Sequence, residues 1–220
     1  DQKVISTDSL AIIGVPTYAG RVAPTALERL QKIKGDNTPA IIVALYGNRD
    51  YEDALLELRD TMKQLGFIPV AGGAFIGEHS YSTEEFPTAA GRPDVSDIQI
   101  ATEFGKNIIK LLNQYADIKE LPALEVKGNF PYKENKPKTP ATPITIDELC
   151  TQCQYCIEIC PVETIELKEE IVSDPEICIK CCACVKECPN GARVFNTPFS
   201  ELLFKNFHER IEPELFYPTR

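Results

Sequence analysis

Eight of the nine cysteines spell one motif twice. Cys150, Cys153, Cys156 and Cys160, followed by Pro161, recur as Cys178, Cys181, Cys184 and Cys188, followed by Pro189, every member displaced by 28 positions. Each copy reads C-x2-C-x2-C-x3-C-P. Three thiolates two residues apart on a tight loop can reach three irons of one cubane, and the fourth iron takes its ligand from elsewhere in the chain. The proline after each fourth cysteine turns the chain away from the short helix it has just made. Such a stretch has little conformational choice, because its two half-motifs must lie against each other and lock each other in place.

The run is the one used by two-cluster bacterial ferredoxins, where the fourth cysteine of each copy serves the other cluster. That pattern assigns Cys150, Cys153, Cys156 and Cys188 to one [4Fe-4S] cluster, and Cys178, Cys181, Cys184 and Cys160 to the other. Two other chemistries compete less well. A disulfide framework belongs to an oxidising compartment and usually to a short secreted chain, yet no signal-peptide pattern precedes these cysteines and their number is odd. A structural zinc takes four ligands, which leaves two tandem triplets, each with an added C-P, poorly explained. Cys182 falls between ligands without disturbing their spacing. It reads as a spare thiol packed near a cluster, or as a reactive or regulatory one.

With 220 residues and 43% hydrophobic content, the chain has material for one large or two ordinary domains with real cores. No stretch approaches the roughly eighteen consecutive apolar residues of a membrane-spanning helix. A net charge of -10 argues against nucleic acid as a partner and suits docking to a basic patch on a redox protein. The expected setting is the cytoplasm of an anaerobic metabolism.

A boundary is written in proline and lysine. Pro122 to Pro143 reads PALEVKGNFPYKENKPKTPATP, too poor in periodic apolar residues for a helix and too rich in proline for a central strand. The expected organisation is an α/β domain over 1–121, an extended linker over 122–146, a small α+β ferredoxin-like domain over 147–195, and a helical tail over 196–220. Gly128 to Tyr132 has an alternative role, packing on one domain and fixing its angle to the other.

Upstream, apolar β-branched runs at Leu10 to Val15, Ala40 to Leu45 and Phe67 to Ala71 read as strands covered on both faces. Between them, Pro24 to Ile33 and Tyr51 to Leu65 carry apolar residues at helical spacing, and a last helix is expected from about Asp97 to Tyr115, capped by Ser96 or Asp97. The order strand, helix, strand, helix, strand, helix predicts a parallel α/β sheet. In such sheets the loops leaving the carboxyl ends of the strands make the ligand site. Two of them, Pro16 to Arg21 and Tyr46 to Tyr51, set an aromatic ring beside a glycine, which suits either a planar heteroaromatic ligand or ordinary loop packing.

GVPTYAGRVAPTALERL followed by ALYGNRDYEDALLELRDTMKQLGFIPVAGGAFIGEHS, with the later KGNFPYK and CIKCCACVKECP, resembles the EFR1-type flavodoxin–ferredoxin fusion family over nearly the whole chain. The resemblance implies a flavodoxin-like domain in which Pro16, Thr17, Tyr18, Ala19 and Gly20 border the isoalloxazine of FMN, and Tyr46, Gly47, Asn48 and Tyr51 line its other side. His79 ends the next strand, where the family also carries a histidine. One departure stands out. The strand, phosphate loop and helix that open flavodoxin-like domains have no counterpart here, because Asp1 to Ser9 is too short to supply them. Leu10 to Val15 is then expected to present an apolar edge, covered by the missing segment as a separate chain, by another subunit or by a second copy.

The leading expectation is an electron carrier or small oxidoreductase, passing single electrons between two [4Fe-4S] clusters and FMN, with a redox protein as electron donor or acceptor, or a small molecule as acceptor. The alternative is a cluster-only redox sensor, or an electron-transfer subunit whose α/β domain is a flavin-free docking platform. His79 is the candidate proton donor, set against a histidine satisfied by its neighbours. Arg21 could neutralise an anionic flavin or simply be a loop arginine. Asp50 and Glu52 read as the start of the following helix. The tail around Leu202, Leu203, Phe204 and Phe207 reads as an amphipathic helix that caps the ferredoxin lobe or docks it to the flavin domain.

Overall fold

A computed structural model describes the chain except for Asp1, Lys136, Lys138 and Arg220. In chain order the elements are β1 (Lys3–Ile5), β2 (Ala11–Tyr18), β3 (Arg21–Val22), α1 (Pro24–Leu30), β4 (Ile33–Gly35), β5 (Thr38–Tyr46), α2 (Ala54–Gln64), β6 (Phe67–Ile76) and α3 (Val95–Leu112). There follow β7 (Ile144–Thr145), α4 (Tyr155–Glu158), β8 (Ile165–Leu167), β9 (Ile171–Ser173), α5 (Ala183–Lys186), β10 (Arg193–Val194), α6 (Phe199–Phe207) and β11 (Glu214–Phe216). They form two compact units whose chain segments interleave.

The first unit takes Asp1–Glu78, Ala89–Asn135 and Glu209–Arg220. Its sheet has the order β11-β6-β5-β2-β3, with β2, β5 and β6 parallel, while β11 and β3 are antiparallel to their neighbours. The three apolar runs make the parallel centre, as their composition predicts. The expectation of a wholly parallel sheet is corrected at both edges, where a tight turn at Ala19 and Gly20 folds β3 back on β2 and three residues near the carboxyl end pair with β6. Ala40, Ile42, Ala44, Val70, Ala71 and Ala74 are fully buried, which explains why these strands carry no polar alternation. Leu55, Leu58 and Met62 of α2 seal one face, and Phe104 and Ile108 of α3 seal part of the other. The cap of α3 is Asp94 rather than Ser96 or Asp97. Its carboxylate accepts from Asp97 N at 3.0 Å, while Asp97 accepts in return from Asp94 N at 2.8 Å.

The proline- and lysine-rich stretch is laid along this unit as far as Asn135. Leu124 is fully buried and Val126 packs on the core. Asp53 accepts from the backbone amides of Asn129 (2.8 Å) and Lys133 (2.6 Å), and the Tyr132 hydroxyl donates to Asp60 at 2.7 Å.

The second unit joins an excursion of the chain, His79–Thr88, to Lys136–His208. Two antiparallel pairs frame it, β7 with β10 and β8 with β9. The two four-residue helices α4 and α5 each contain the third cysteine of a run, Cys156 and Cys184. These two cysteines form a small core with Ile165 and Ile171.

Candidate metal centre

The repeat in the sequence is also a repeat in backbone conformation. Non-glycine residues take left-handed φ at Gln152 (54°) and Lys180 (56°), at Gln154 (62°) and Cys182 (56°), and at Glu163 (51°), whose counterpart Gly191 has φ 62°. Alternating right- and left-handed residues turn successive amides toward one side and make a nest that suits an anion or an iron–sulfur site. The amides point at sulfur here. Thr164 N lies 3.5 Å from Cys160 Sγ, and Lys180 N lies 3.4 Å from Cys178 Sγ. At Cys188 burial opposes ionisation, but the amides of Asn190, Arg193, Ala192 and Gly191 outweigh it and lower the thiol pKa.

One cavity is lined by Cys160, Cys178, Cys181 and Cys184 together, three cysteines of the second run and the fourth of the first. Cys181 feels the charge of both Cys160 and Cys178, and Cys156 feels that of both Cys153 and Cys188, so each fourth cysteine lies near the opposite run. No three His, Cys, Asp or Glu side chains among the described residues converge on a point that would hold one metal ion. A zinc draws its four ligands to about 2.3 Å or less from a single centre, whereas a cubane spreads its thiolates over separate irons. Cys153 is exposed, while Cys178 and Cys184 are buried, so the two sets differ in access to solvent.

Residues 149–196 match the 4Fe-4S dicluster domain family. The match covers both cysteine runs, β8, β9 and β10. None of the curated proteins matches the chain.

Two residues of the cysteine-rich unit were not singled out by sequence reasoning. Arg193 is buried with 3% exposure and lines the cysteine cavity. Its Nη1 donates to Thr145 Oγ1 at 2.8 Å, its Nη2 donates to Ser173 Oγ at 2.6 Å, and Cys184 Sγ lies 3.9 Å from Nη2. A signal for it exists in the repeat, because the position 28 residues earlier is Ile165, and an arginine replacing a buried isoleucine breaks the apolar pattern. Tyr81 arrives on the excursion from the α/β unit. Burial, aided by the nearby Cys182, Cys178 and Cys181, pushes its hydroxyl up to about 12, and its ring stands 5.4 Å from Phe195 and 5.3 Å from His79. His79 belongs to this aromatic group and its Nδ1 accepts from Tyr81 N at 3.0 Å. Cys182 is 2% exposed, and burial followed by the neighbouring cysteines pushes its thiol up to about 12.

The residues assigned to FMN by resemblance lie at the carboxyl ends of β2 and β5. Pro16, Thr17 and Tyr18 are strand residues, and Ala19 and Gly20 make the turn to β3. Gly20 is filled from outside, since a Cβ there would stand 2.0 Å from Glu52 Oε2. Gly47 follows β5, and Asn48 has φ 64° and donates to Glu209 O at 2.7 Å. Tyr46 and Tyr51 are 7% and 1% exposed and meet edge to face at 5.3 Å. Lys127 Nζ covers the Tyr51 ring at 4.8 Å, and the Tyr51 hydroxyl donates to Glu214 at 2.9 Å. Rings so enclosed offer no free face to an isoalloxazine, so Tyr46 and Tyr51 as arranged do not stack on FMN. Arg21 is committed to Glu57, donating from Nε to Oε2 at 2.8 Å.

Proposed function

We propose that the dicluster domain unit carries two [4Fe-4S] clusters and serves as a one-electron relay, with the α/β unit as its docking platform. Cys150, Cys153, Cys156 and Cys188 hold one cluster, and Cys178, Cys181, Cys184 and Cys160 hold the other. The observation that carries this reading is the cavity joining Cys160 to the second run. When bound, such clusters accept and release one electron at a time. The chain's part is to present backbone amides to sulfur, to keep Cys178 and Cys184 of the second set out of water, and to expose the first set at Cys153. Beside Cys153 in sequence, Tyr155 (41% exposed) and Leu149 (47%) are flanked by the exposed Glu148 and Glu158. An apolar centre with an acidic rim suits a redox partner with a basic rim.

A narrower reading adds FMN as a second relay station or as the route to a small-molecule acceptor. It is favoured by one observation, the buried Thr17 Oγ1 at the end of β2, which has no hydrogen-bond partner among the described residues. The enclosed Tyr46 and Tyr51 rings weigh against it. Both readings are tested by anaerobic reconstitution, with iron, sulfide and flavin counted per chain and a visible spectrum taken before and after dithionite. About eight irons, reversible bleaching and no flavin is the expected result. Stoichiometric FMN would favour the flavin-carrying form, and failure to hold more than one or two metal ions would overturn both.

A further inference from the structure

Arg193 carries a full positive charge into the middle of the cysteine-rich unit. Among the described residues no carboxylate lies within ion-pair distance of it, and its partners are two neutral hydroxyls and one sulfur. Its Nε is buried with no hydrogen-bond partner among the described residues. A guanidinium does not lose its proton in a protein, so burial cannot be relieved by neutralisation. A buried unpaired cation is strongly destabilising unless an anion compensates it.

The anion has to lie where the guanidinium points. Nη2 reaches Cys184, and Arg193 lines the same cavity as Cys184, Cys160, Cys178 and Cys181. Cys184 packs in one small core with Cys156 and Cys150, two cysteines of the other set. Thr145 on β7 and Ser173 on β9 fix the fork from two sides, so the charge cannot swing out to water.

We propose that Arg193 is a shared counter-cation for two iron–sulfur clusters, held by Thr145 and Ser173 so that its charge raises the reduction potential of both. This rests on the two-cluster reading above. One electron added at either site adds one negative charge beside a fixed positive one, with no proton taken up by Arg193. Removing the cation therefore makes each reduction harder, and the effect is felt at both sites because one guanidinium serves both.

The test is an anaerobic redox titration followed by electron paramagnetic resonance, on the full reconstituted chain, for wild type, Arg193→Gln and Arg193→Lys, with iron counted in each. In Arg193→Gln, with iron retained, the equilibrium constant for accepting an electron is expected to fall at least tenfold at both clusters, a downward shift of about 59 mV for a one-electron couple. Arg193→Lys keeps the charge but loses the fork, and a smaller downward shift is expected. Full iron content with unmoved potentials, or a shift at one cluster only, overturns the shared role. Should Arg193→Gln lose iron, Thr145→Val and Ser173→Ala are read instead, since they loosen the guanidinium without removing it, and unmoved potentials there overturn the proposal equally. A wild-type chain that binds no clusters removes the underlying reading as well, which separates that failure from a failure of Arg193 alone.

Discussion

At position 182 a thiol sits where the chain needs a left-handed residue more than it needs sulfur. Gln154 holds the same conformation at the corresponding place in the first copy, and each residue precedes the helix that carries a third cysteine. A left-handed conformation costs a non-glycine residue about 1–2 kcal/mol, least for short polar side chains, so the position tolerates change of chemistry better than change of shape. Cys182→Ser is therefore expected to retain the full iron content and the visible spectrum of the wild type, whereas Cys156→Ser and Cys184→Ser each lose a cluster's worth of absorbance. Iron counting with the visible spectrum checks both, and loss of iron from Cys182→Ser would make it a ligand. The eight motif cysteines were legible because their spacing is local and repeated. Arg193 was legible in principle as a break in that repeat, but its partners Thr145 and Ser173 are far away in sequence, and nothing local announces them. Tyr81 lies further still from the cysteines it adjoins, on a loop that sequence reading assigned to the other half of the chain.

Among the elements, the three central strands and the positions of α1, α2 and α3 could be read from apolar period and β-branching. Packing of the stretch around Gly128 was open in the sequence only as an alternative to an extended linker, because what orders it is a set of long-range bonds to α2 and its entrance. Asp53 gathers two of them. Burial pushes its carboxyl toward the neutral form, but the amides of Lys133 and Asn129 outweigh that and hold its pKa below the usual range. A carboxylate whose pKa is depressed on folding contributes stability above its unfolded value, near 3.9, and loses it as pH falls through the folded value. The Asn129 and Lys133 amides are thus expected to stay protected from hydrogen exchange at neutral pH and to lose protection below about pH 4. Asp53→Asn should show the same loss at pH 7, with about 1–3 kcal/mol of destabilisation from donors left unpaired. Equal protection in both proteins would place the ordering elsewhere. Gly128 makes a steric test of the same strap, since it has φ 146° and an added Cβ would lie 2.5 Å from Leu56 Cβ. Gly128→Ala is expected to lower the urea midpoint by the equivalent of about 1–3 kcal/mol, as overpacking does, without altering iron content.

For the whole molecule, the two units follow different rules of assembly. The cysteine-rich unit draws its order from a dense local repeat, and the α/β unit from a sheet completed by β11, a three-residue strand with no periodic signal of its own. Its pairing with β6 was invisible in the sequence for that reason. The same sheet explains what is left uncovered. Ile12, Gly14 and Pro16 lie in register with Ile41, Val43 and Leu45, so they share the face on which α3 packs. Coverage by α3 stops short of them, since Ile12 is 70% and Leu45 46% exposed, and a Cβ on Gly14 would meet nothing within 4 Å. On the edge itself β3 pairs only with Thr17 and Tyr18, and no strand among the described residues lies beside Ala11 to Gly14 on that side. An unpaired apolar edge of this kind is a template for another strand. The purified chain, loaded with iron and kept anaerobic, is therefore expected to self-associate as its concentration rises, and Ile12→Lys to shift the population toward monomer while leaving the visible spectrum unchanged. Sedimentation velocity over a hundredfold concentration range measures this directly. A wild type that stays monomeric throughout would mean that the edge is tolerated in water, whereas association that survives Ile12→Lys would move the contact to another surface.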